Sequence, residues 1–565
     1  MPPGPSSTPA ESCHPWEYHV RAGPGRKLNS VTPYLPEEFT APEVDLLRRY
    51  FTNVDGPVFA LVNLPELVKG ALMSRYSRSP KSLRRLFLDE FVGDLDVSGD
   101  DGVDATVGIG RAEAFYEKNF VEYGDDSIAQ LGGVHLACEQ ASNVLTKILE
   151  WGRLLSYIEQ STRYINYDLR LGGRYRFHRD PGILSSGLGT RYVADMDRTF
   201  EAYTTVVQAV IDHLRATVPQ LPTDSDFVYR QAIRAKALDA ARGMLPASTL
   251  SNLGIYGSGQ GYENLLLRMR AHPLPEARSY ADLMLVELRK VVPTFMRRVD
   301  LPDRGVVWSR YLESTREATA AVAHRLFANV APHDVAEVTL LDWDPEGEDK
   351  LVAATLYPHL SLSEAQILVK VRTMSTEEKS SVLRASVGDR QNRRHKPGRA
   401  FERTDYRFDV LGDYGAFRDL QRHRLMTIDW QRLSPAHGFS RPDLVDEAGV
   451  ADLFNETMER SADLYAALSP EFPAEASYTV SMAYRVRYIM QFNAREAMHM
   501  LELRTAPQGH PSYRRVCLEM HRLIAEQAGH RAIAAAMTHV NSADPGLERL
   551  QAERQAEKRR TLTPD

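Results

Sequence analysis

The sequence predicts a helix-rich α/β (α+β) protein that is built from two similar halves. Three observations indicate this: long stretches with helical spacing of apolar residues, at least one strand pattern, and two pairs of matching segments far apart in the chain. With 565 residues the chain is too long for one ordinary core. The composition, 43% hydrophobic and 25% charged, is typical of a globular protein.

Apolar residues at i, i+3 and i+4 predict helices in several segments. These segments are residues 57–77, 82–93, 132–151, 200–218, 279–299 and 362–374. In residues 335–345, Val, Thr and Leu run together and then meet Asp-Pro, which predicts a strand and a turn. The expected organisation is a Pro/Ser-rich disordered tail (1–40), a first half (41–330), a second half (331–541) and a charged tail (542–565).

Two segment pairs indicate an internal repeat. Residues 153–161 resemble residues 424–432, and residues 267–280 resemble residues 501–513. The two pairs are offset by different lengths, which predicts an insertion in the first half. The segment that follows Tyr167 is the expected place for it.

Charge and cysteine content exclude several classes of protein. The net charge of −6 argues against general binding to DNA, RNA or an anionic membrane. No apolar run approaches the ~18 residues that a bilayer requires, and the N-terminus lacks the apolar core of a signal peptide. The three cysteines lie far apart, so we expect no disulfide framework and no metal site, and a cytoplasmic location.

Three basic segments could carry chemistry. Arg422, His423 and Arg424 could bind a diphosphate or polarise a ring carbonyl, or could form a solvated basic face. Ser161 and Arg163 offer a hydroxyl and a guanidinium that suit a nucleoside monophosphate, although a simple Glu/Arg pair is the alternative. The loop with His395 and Arg399 could wrap a diphosphate or form a patch for RNA.

These segments resemble the signature RHRxxSxNExSxRY of flavin-dependent thymidylate synthases. The first half retains its later part, and the second half retains its beginning. The matching residues are Arg153, Ser156, Glu159, Ser161, Arg163 and Tyr164 in the first half, and Arg422, His423 and Arg424 in the second. Each half has therefore lost what the other retains.

Two further motifs of the family are divided in the same way. The first half has the ARxxLP element, with Arg242, where the second half has Ser477. The second half has the helix NAR…LR, with Asn493, Arg495 and Arg504, and His499 lies on it. In the first half we expect this helix to be broken by residues 254–264.

The resemblance implies two fused copies of the flavin-dependent thymidylate synthase fold, with a site shared by the halves. It implies FAD-dependent reductive methylation of dUMP to dTMP, with methylenetetrahydrofolate and NADPH as co-substrates. The alternatives are a flavoenzyme that modifies another pyrimidine nucleotide, or a non-catalytic nucleotide-binding protein. A homodimer would mimic the family's tetramer.

The resemblance also implies residue roles. Arg504 and Arg163 are expected to be catalytic, by stabilising negative charge on the uracil. The nucleotide would contact Arg153, Ser156, Glu159, Ser161, Arg163, Tyr164, Arg242 and Arg504. The flavin would contact His395, Arg399, Arg422, His423, Arg424, Asn493, Arg495 and His499.

Overall fold

Two four-stranded antiparallel sheets form the centres of two related halves. The computed structural model describes residues 34–92, 130, 132–163, 165–222, 224–331 and 333–543. The strand orders are β1-β2-β4-β3 and β5-β6-β8-β7. The strands are β1 (Val58–Leu61), β2 (Gly133–Ser142), β3 (Leu155–Glu159), β4 (Leu250–Ser258), β5 (Val338–Trp343), β6 (Asp405–Asp413), β7 (Thr427–Trp430) and β8 (Arg485–Asn493). The predicted helix-rich α+β class in two fused copies is confirmed.

Helices surround both sheets. In the first half they are α1 (Ala41–Tyr50), α2 (Glu66–Tyr76), α3 (Leu83–Glu90), α4 (Asn143–Leu149), α5 (Pro181–Ser185), α6 (Gly189–Thr217), α7 (Asp226–Ala241), α8 (Gly259–Arg270), α9 (Pro275–Val291) and α10 (Gly305–Phe327). In the second half they are α11 (Gly347–Leu356), α12 (Glu364–Val371), α13 (Thr376–Val387), α14 (Tyr414–Leu420), α15 (Asp443–Glu447), α16 (Ala451–Leu468), α17 (Ala494–Arg504), α18 (Pro511–Glu526) and α19 (Arg531–Ala536).

The predicted strand in residues 335–345 is confirmed as β5, but two predicted helices are partly wrong. Residues 57–77 begin with β1 before α2, and residues 132–151 form β2 before α4. All four residues of β1 are buried, and so are seven of the ten in β2. A strand that is buried on both faces reads as a continuous apolar run, which the spacing of apolar residues does not separate from a buried helix.

The ends of the chain lie partly outside the described residues, namely 1–33 and 544–565. Tyr34 is the first residue that the structure describes, and its hydroxyl donates to the Glu139 carboxylate at 2.8 Å. The packed chain therefore begins earlier than the expected boundary at residue 40.

The helix that we expected to be broken in the first half is intact. Residues 254–264 form the end of β4 and the start of α8. Ser258 caps α8 by accepting from the Gly261 N–H, and Asn493 caps α17 by accepting from the Glu496 N–H. The counterpart of Asn493 is thus Ser258, a short polar residue that serves the same capping purpose.

The extra length of the first half is not confined to the segment after Tyr167. Helix α6 has 29 residues, whereas its counterpart α16 has 18. Helix α7 adds 16 more residues before β4, and α16 is followed by no α-helix before β8. The insertion is therefore distributed over a loop, a longer helix and an additional helix.

The two halves pack around a pseudo-twofold axis near Pro246 and Ser481, which form an antiparallel bridge. On one side the Ala247 N–H donates to the Val480 carbonyl at 2.8 Å. On the other side the Met482 N–H donates to the Leu245 carbonyl at 2.9 Å. One hydrophobic core includes both sheets, so the motifs of the two halves are held in fixed relative positions.

Candidate functional site

The first cavity, of about 580 Å³, lies between the halves. The first half contributes Arg163, Lys236, Asp239, Arg242 and Gly243 to its wall. The second half contributes Asp413, Ser440, Arg441, His510 and Arg515. Two residues that the sequence assigns to the nucleotide, Arg163 and Arg242, are therefore brought together in one cavity.

Local contacts hold both arginines in place. Arg163 donates from Nε and Nη2 to the two oxygens of Asp239, each at 2.7 Å, and from Nη2 to the Gln508 carbonyl. Arg242 is buried at the end of α7, and its Nη1 lies 3.4 Å from Asp419. Its Nη2 is buried without a hydrogen-bond partner among the described residues, so it remains able to bind an anion.

Asp419 connects four of the predicted site residues, although the sequence did not single it out. The surrounding guanidinium groups belong to Arg242, Arg504, Arg422 and Arg163. Burial raises the pKa of the Asp419 carboxyl, but these four cations outweigh burial and lower the pKa well below its usual range. Asp419 lies in the last turn of α14, three positions before Arg422, and this closeness in sequence to the basic segment was the available signal.

Arg504 and His423 adjoin this cluster. Arg504 donates from Nε to Nε2 of His423 at 3.0 Å and from Nη2 to the Asp419 carbonyl at 2.5 Å. Since a guanidinium only donates, Nε2 of His423 must accept, and its proton lies on Nδ1. Nδ1 lies 3.0 Å from Glu496. Burial lowers the pKa of His423 to about 4, which keeps the ring neutral.

Glu496 also binds His499, whose Nδ1 lies 3.2 Å from its second oxygen. His423, Glu496 and His499 are close enough to hold a metal ion. A metal on Nδ1 of His423 would place the ring proton on Nε2, opposite the Arg504 N–H, and two donors would face each other. The group is therefore better described as a hydrogen-bonded chain from Arg504 to His499.

Glu159 lies in a buried charge network instead of a cavity wall. Its oxygens contact Lys147 at 3.2 Å, Arg418 at 3.1 Å and Arg422 at 2.6 Å. Burial raises its pKa, but the three cations lower it below the usual range. Glu159 of the first half thus fixes Arg418 and Arg422 of the second. Nε of Arg422 is buried and has no hydrogen-bond partner in the described part.

The second cavity, of about 470 Å³, contains His423 and Arg424 in its wall together with Arg153, which the sequence assigned to the nucleotide but which here lies beside two of the predicted flavin residues. Arg424 donates to Ser156 Oγ at 3.0 Å and also to the Leu155 carbonyl. Arg153 donates in return to the Met426 carbonyl and to Thr427 Oγ1. The remaining wall includes two indoles, Trp151 and Trp308, and the cation Arg268.

Four predicted flavin residues lie around the start of α17, outside both cavity walls. Asn493 is the helix cap, and Arg495 donates to the Pro397 carbonyl at 3.1 Å. Arg399 is largely exposed and pairs with Glu402, and His395 bonds within its own loop to Asn392. His423 and His499 connect this surface to the second cavity, since their ring centroids are 5.4 Å apart.

Three predicted nucleotide residues, Ser161, Arg163 and Tyr164, follow β3 in the sequence. Ser161 Oγ accepts from the Arg163 N–H at 3.3 Å and so helps to fix the arginine backbone. Tyr164 lies outside the described residues.

A small residue in the wall of the first cavity is replaced by a large one at the equivalent position of the other half. Gly243 lies in the cavity wall close to Ala483, since a Cβ there would meet Ala483 Cβ at 3.0 Å. The repeat places Tyr478 opposite Gly243, and the Tyr478 side chain is fully buried. Its hydroxyl donates to Glu276 at 2.7 Å, and Ser142 Oγ donates to the same carboxylate at 2.6 Å.

Comparison with known proteins identifies the family. The model of the family named thymidylate synthase complementing protein matches residues 92–294 and again 339–529. The chain therefore belongs to this family and contains its domain twice. No helix in the described ranges is both long and apolar enough to cross a membrane.

Relatives extend over nearly the whole chain. A UPF0159 protein of Chlamydia muridarum is 36% identical over 91% of this chain and 98% of its own length. One from Chlamydia pneumoniae is 37% identical over 87% of this chain and 93% of its own length. One from Thermoplasma acidophilum is 31% identical over 86% of this chain and 97% of its own length.

A solved structure, the UMP/dUMP methylase PolB from Streptomyces cacaoi bound with 5-Br dUMP, matches 35% of this chain and 94% of its own. The identity is 20% and the TM-score is 0.27. A likeness at this level carries no argument about the chemistry of the chain.

Proposed function

We propose that the chain binds a pyrimidine nucleoside monophosphate in the first cavity and methylates the base at C5, converting dUMP to dTMP. One observation carries the proposal: Asp419 lies 3.4 Å from Arg242 Nη1 of the first half and 3.8 Å from Arg504 Nη1 of the second, and the charges of Arg422 and Arg163 also act on it. Membership of the thymidylate synthase complementing protein family supports the same reaction class.

The phosphate would bind to Arg163 and Arg242. Phosphates prefer guanidinium groups, which donate charge-assisted hydrogen bonds. The unpartnered Nη2 of Arg242 supplies one buried donor beside the cavity. A volume of about 580 Å³ lies within the range of small-ligand sites.

The base would lie toward Arg504, whose guanidinium is held by the Asp419 carbonyl and His423. A cation fixed in this way stabilises negative charge that develops on the uracil when C5 attacks. Arg163 is the second cation of the site. Both charges are in place before reaction, so little reorganisation is needed.

The second cavity fits the chemistry of a flavin nucleotide. Its indoles can pack against an aromatic ring, and Arg153, Arg268 and Arg424 can bind a diphosphate. We propose that Arg424 and His423 hold FAD there, with His499, Asn493, Arg495, His395 and Arg399 along the adjoining surface and with Arg422 held by Glu159. Bound flavin would supply hydride-transfer chemistry.

Further parts of the proposal follow from the family resemblance. Methylenetetrahydrofolate would supply the carbon, and NADPH would supply the reducing equivalents. The protein would be a cytoplasmic homodimer, and in each chain the boundary between the two halves would lie near residue 330. A flavoenzyme acting on another pyrimidine nucleotide, or a non-catalytic nucleotide-binding protein, is the alternative.

An anaerobic assay tests the proposal. The purified protein is first examined for flavin absorbance and then supplied with dUMP, methylenetetrahydrofolate and NADPH. We expect a flavin spectrum and dTMP. A flavin spectrum without dTMP, but with product from UMP, would favour the alternative of a flavoenzyme that acts on another pyrimidine nucleotide. Failure to bind FAD after reconstitution would contradict the enzyme assignment.

A further inference from the structure

Asp413 is a buried carboxylate in the wall of the first cavity. It ends β6 and caps α14, where its Oδ1 accepts from the Ala416 N–H at 2.8 Å. The residue is only 7% exposed, and its second oxygen, Oδ2, is buried without a hydrogen-bond partner among the described residues. A buried carboxylate oxygen without a donor costs free energy, so a ligand that donates to Oδ2 would bind favourably.

The basic residues that the second half contributes to this cavity are engaged elsewhere. Arg515 pairs with Glu337 at 2.7 Å. Arg441 pairs with Asp446 at 2.8 Å. Both ring nitrogens of His510 are bonded to the backbone, since Nδ1 accepts from an N–H and Nε2 lies 3.3 Å from a carbonyl. None of these three side chains therefore serves as the donor for Asp413 Oδ2.

The carboxylate of Asp413 lies near the guanidinium of Arg242. A Cβ at Gly415, which also lines the cavity, would lie 3.1 Å from Asp413 Oδ1 and 3.7 Å from Arg242 Nη2. Neither Asp413 Oδ2 nor Arg242 Nη2 has a hydrogen-bond partner in the described ranges, so these two atoms are not bonded to each other. The cavity wall thus offers an unused charged donor near an unused charged acceptor, which suits a ligand with both an anionic group and a hydroxyl.

The equivalent position in the first half is engaged within the protein. Ser142 ends β2 and caps α4, as Asp413 ends β6 and caps α14. Its Oγ accepts from the Leu145 N–H at 3.0 Å and donates to Glu276 at 2.6 Å. The cap of the first half is therefore used as both acceptor and donor, whereas the cap of the second half retains an unused oxygen.

We propose that Asp413 binds the 3′-hydroxyl of the nucleotide and makes the site specific for nucleoside 5′-monophosphates whose 3′-oxygen is free. This role rests on the proposed function, which assigns the phosphate to Arg163 and Arg242 and the base to Arg504. A carboxylate only accepts hydrogen bonds, so its ligand must be a donor. The sugar connects the phosphate with the base, and in dUMP it has one donor, the 3′-hydroxyl.

The same carboxylate excludes a phosphate from the 3′-oxygen. A 3′-phosphate replaces the hydroxyl donor with an anion, which would meet the charge of Asp413 in a poorly hydrated position. Asp443 and Glu447 add two acidic groups to the same cavity wall. The site therefore accepts free mononucleotides and rejects a uridine within RNA or DNA, whose 3′-oxygen carries a phosphate.

Titration calorimetry of the full-length wild-type protein with three nucleotides tests the proposal. The nucleotides are dUMP, 2′,3′-dideoxyuridine 5′-monophosphate and 2′-deoxyuridine 3′,5′-bisphosphate. The dideoxy nucleotide lacks one hydrogen bond to a charged acceptor, so we expect it to bind about 10- to 100-fold more weakly than dUMP. The bisphosphate is expected to bind more weakly still, because its 3′-phosphate is repelled.

Asp413→Asn links this preference to the carboxylate. Asparagine caps helices as well as aspartate does, so the bond to the Ala416 N–H is retained, while an NH₂ group replaces the acceptor Oδ2. We expect similar affinities for dUMP and the dideoxy nucleotide, and tighter binding of the bisphosphate than in the wild type. The matched control Asp180→Asn changes a cap that accepts from the Ile183 N–H and lies in neither cavity wall, so it should keep the wild-type preference.

A second variant, Asp413→Ser, introduces the residue that caps the equivalent helix of the first half and should lose the preference in the same way, even if Asp413→Asn does not fold. Equal affinity of the wild type for dUMP and the dideoxy nucleotide would overturn the role of Asp413. So would a wild-type preference that persists in the folded Asp413 variants. In both cases dUMP still binds, so the proposed function stands. If no pyrimidine nucleotide binds to the wild type, the proposed function fails, and the role of Asp413 fails with it.

Discussion

Asp419 is the residue on which the candidate site converges. It lies 3.4 Å from Arg242 Nη1 and 3.8 Å from Arg504 Nη1. These arginines come from segments more than 250 residues apart in the chain. A cluster of cations is unfavourable without a counter-charge, so the carboxylate allows the arginines to remain close together before an anionic substrate binds.

Substitution of Arg163 tests the nucleotide site. Arg163→Gln removes a charged donor, and we expect nucleotide affinity to fall by about 10- to 100-fold, the range for hydrogen bonds to charged groups. Flavin binding should be unchanged. The matched control Arg153→Gln, in the second cavity, should leave nucleotide affinity unaffected. Titration calorimetry measures the nucleotide affinity of both variants. Equal losses of nucleotide affinity in Arg163→Gln and Arg153→Gln would contradict the assignment of Arg163 to the nucleotide site.

Buried histidines make stability depend on pH. Burial lowers the pKa of His272, His423 and His510 to about 4 in each case. Their unfolded pKa is near 6.5, so the unfolded state binds more protons between pH ~6.5 and ~4. The free energy of unfolding should therefore fall as the pH decreases through this range, by up to about 3 kcal/mol for each histidine.

Chemical denaturation between pH 4.5 and 7 measures this dependence. His272→Gln changes a residue that lies in neither cavity wall, and it should reduce the slope by the contribution of one histidine. A slope that His272→Gln leaves unchanged would show that this histidine is not buried in its neutral form.

At the scale of elements, sequence patterns located the helices better than the strands. Specific residue types made two segments recognisable, namely residues 422–424 and the helix from Asn493 to Arg504. Strands β1 and β2 were not recognisable as strands, because burial on both faces removes the alternation that identifies a strand. Contacts such as Arg504 with His423 depend on long-range packing, so no local pattern could have predicted them.

The equivalent caps of α8 and α17 separate stability from cofactor binding. Asn493→Ala and Ser258→Ala each remove a side chain that accepts from the third backbone N–H of its helix. Both variants should lose about 1 kcal/mol of stability, the usual cost of an N-cap. If Asn493 also contacts flavin, only Asn493→Ala should weaken FAD binding, as measured by fluorescence titration. Equal FAD affinity in both variants would show that Asn493 serves only as the N-cap of α17.

At the scale of the whole molecule, the two halves share one fold but differ in the residues at equivalent positions of the candidate site. The sequence indicated this division, since each half lacks motif residues that the other retains. It did not show which side chain stands at the position equivalent to Gly243. There the fully buried Tyr478 takes its place and donates to Glu276.

This asymmetry predicts a single nucleotide site per chain, which is the central claim. Equilibrium titration of the FAD-loaded protein with dUMP measures the stoichiometry directly. We expect one nucleotide per chain, with binding weakened by Arg163→Gln in the first half and by Arg504→Gln in the second, since both halves build the site. Two nucleotides per chain, or binding that either variant leaves unchanged, would contradict the composite site.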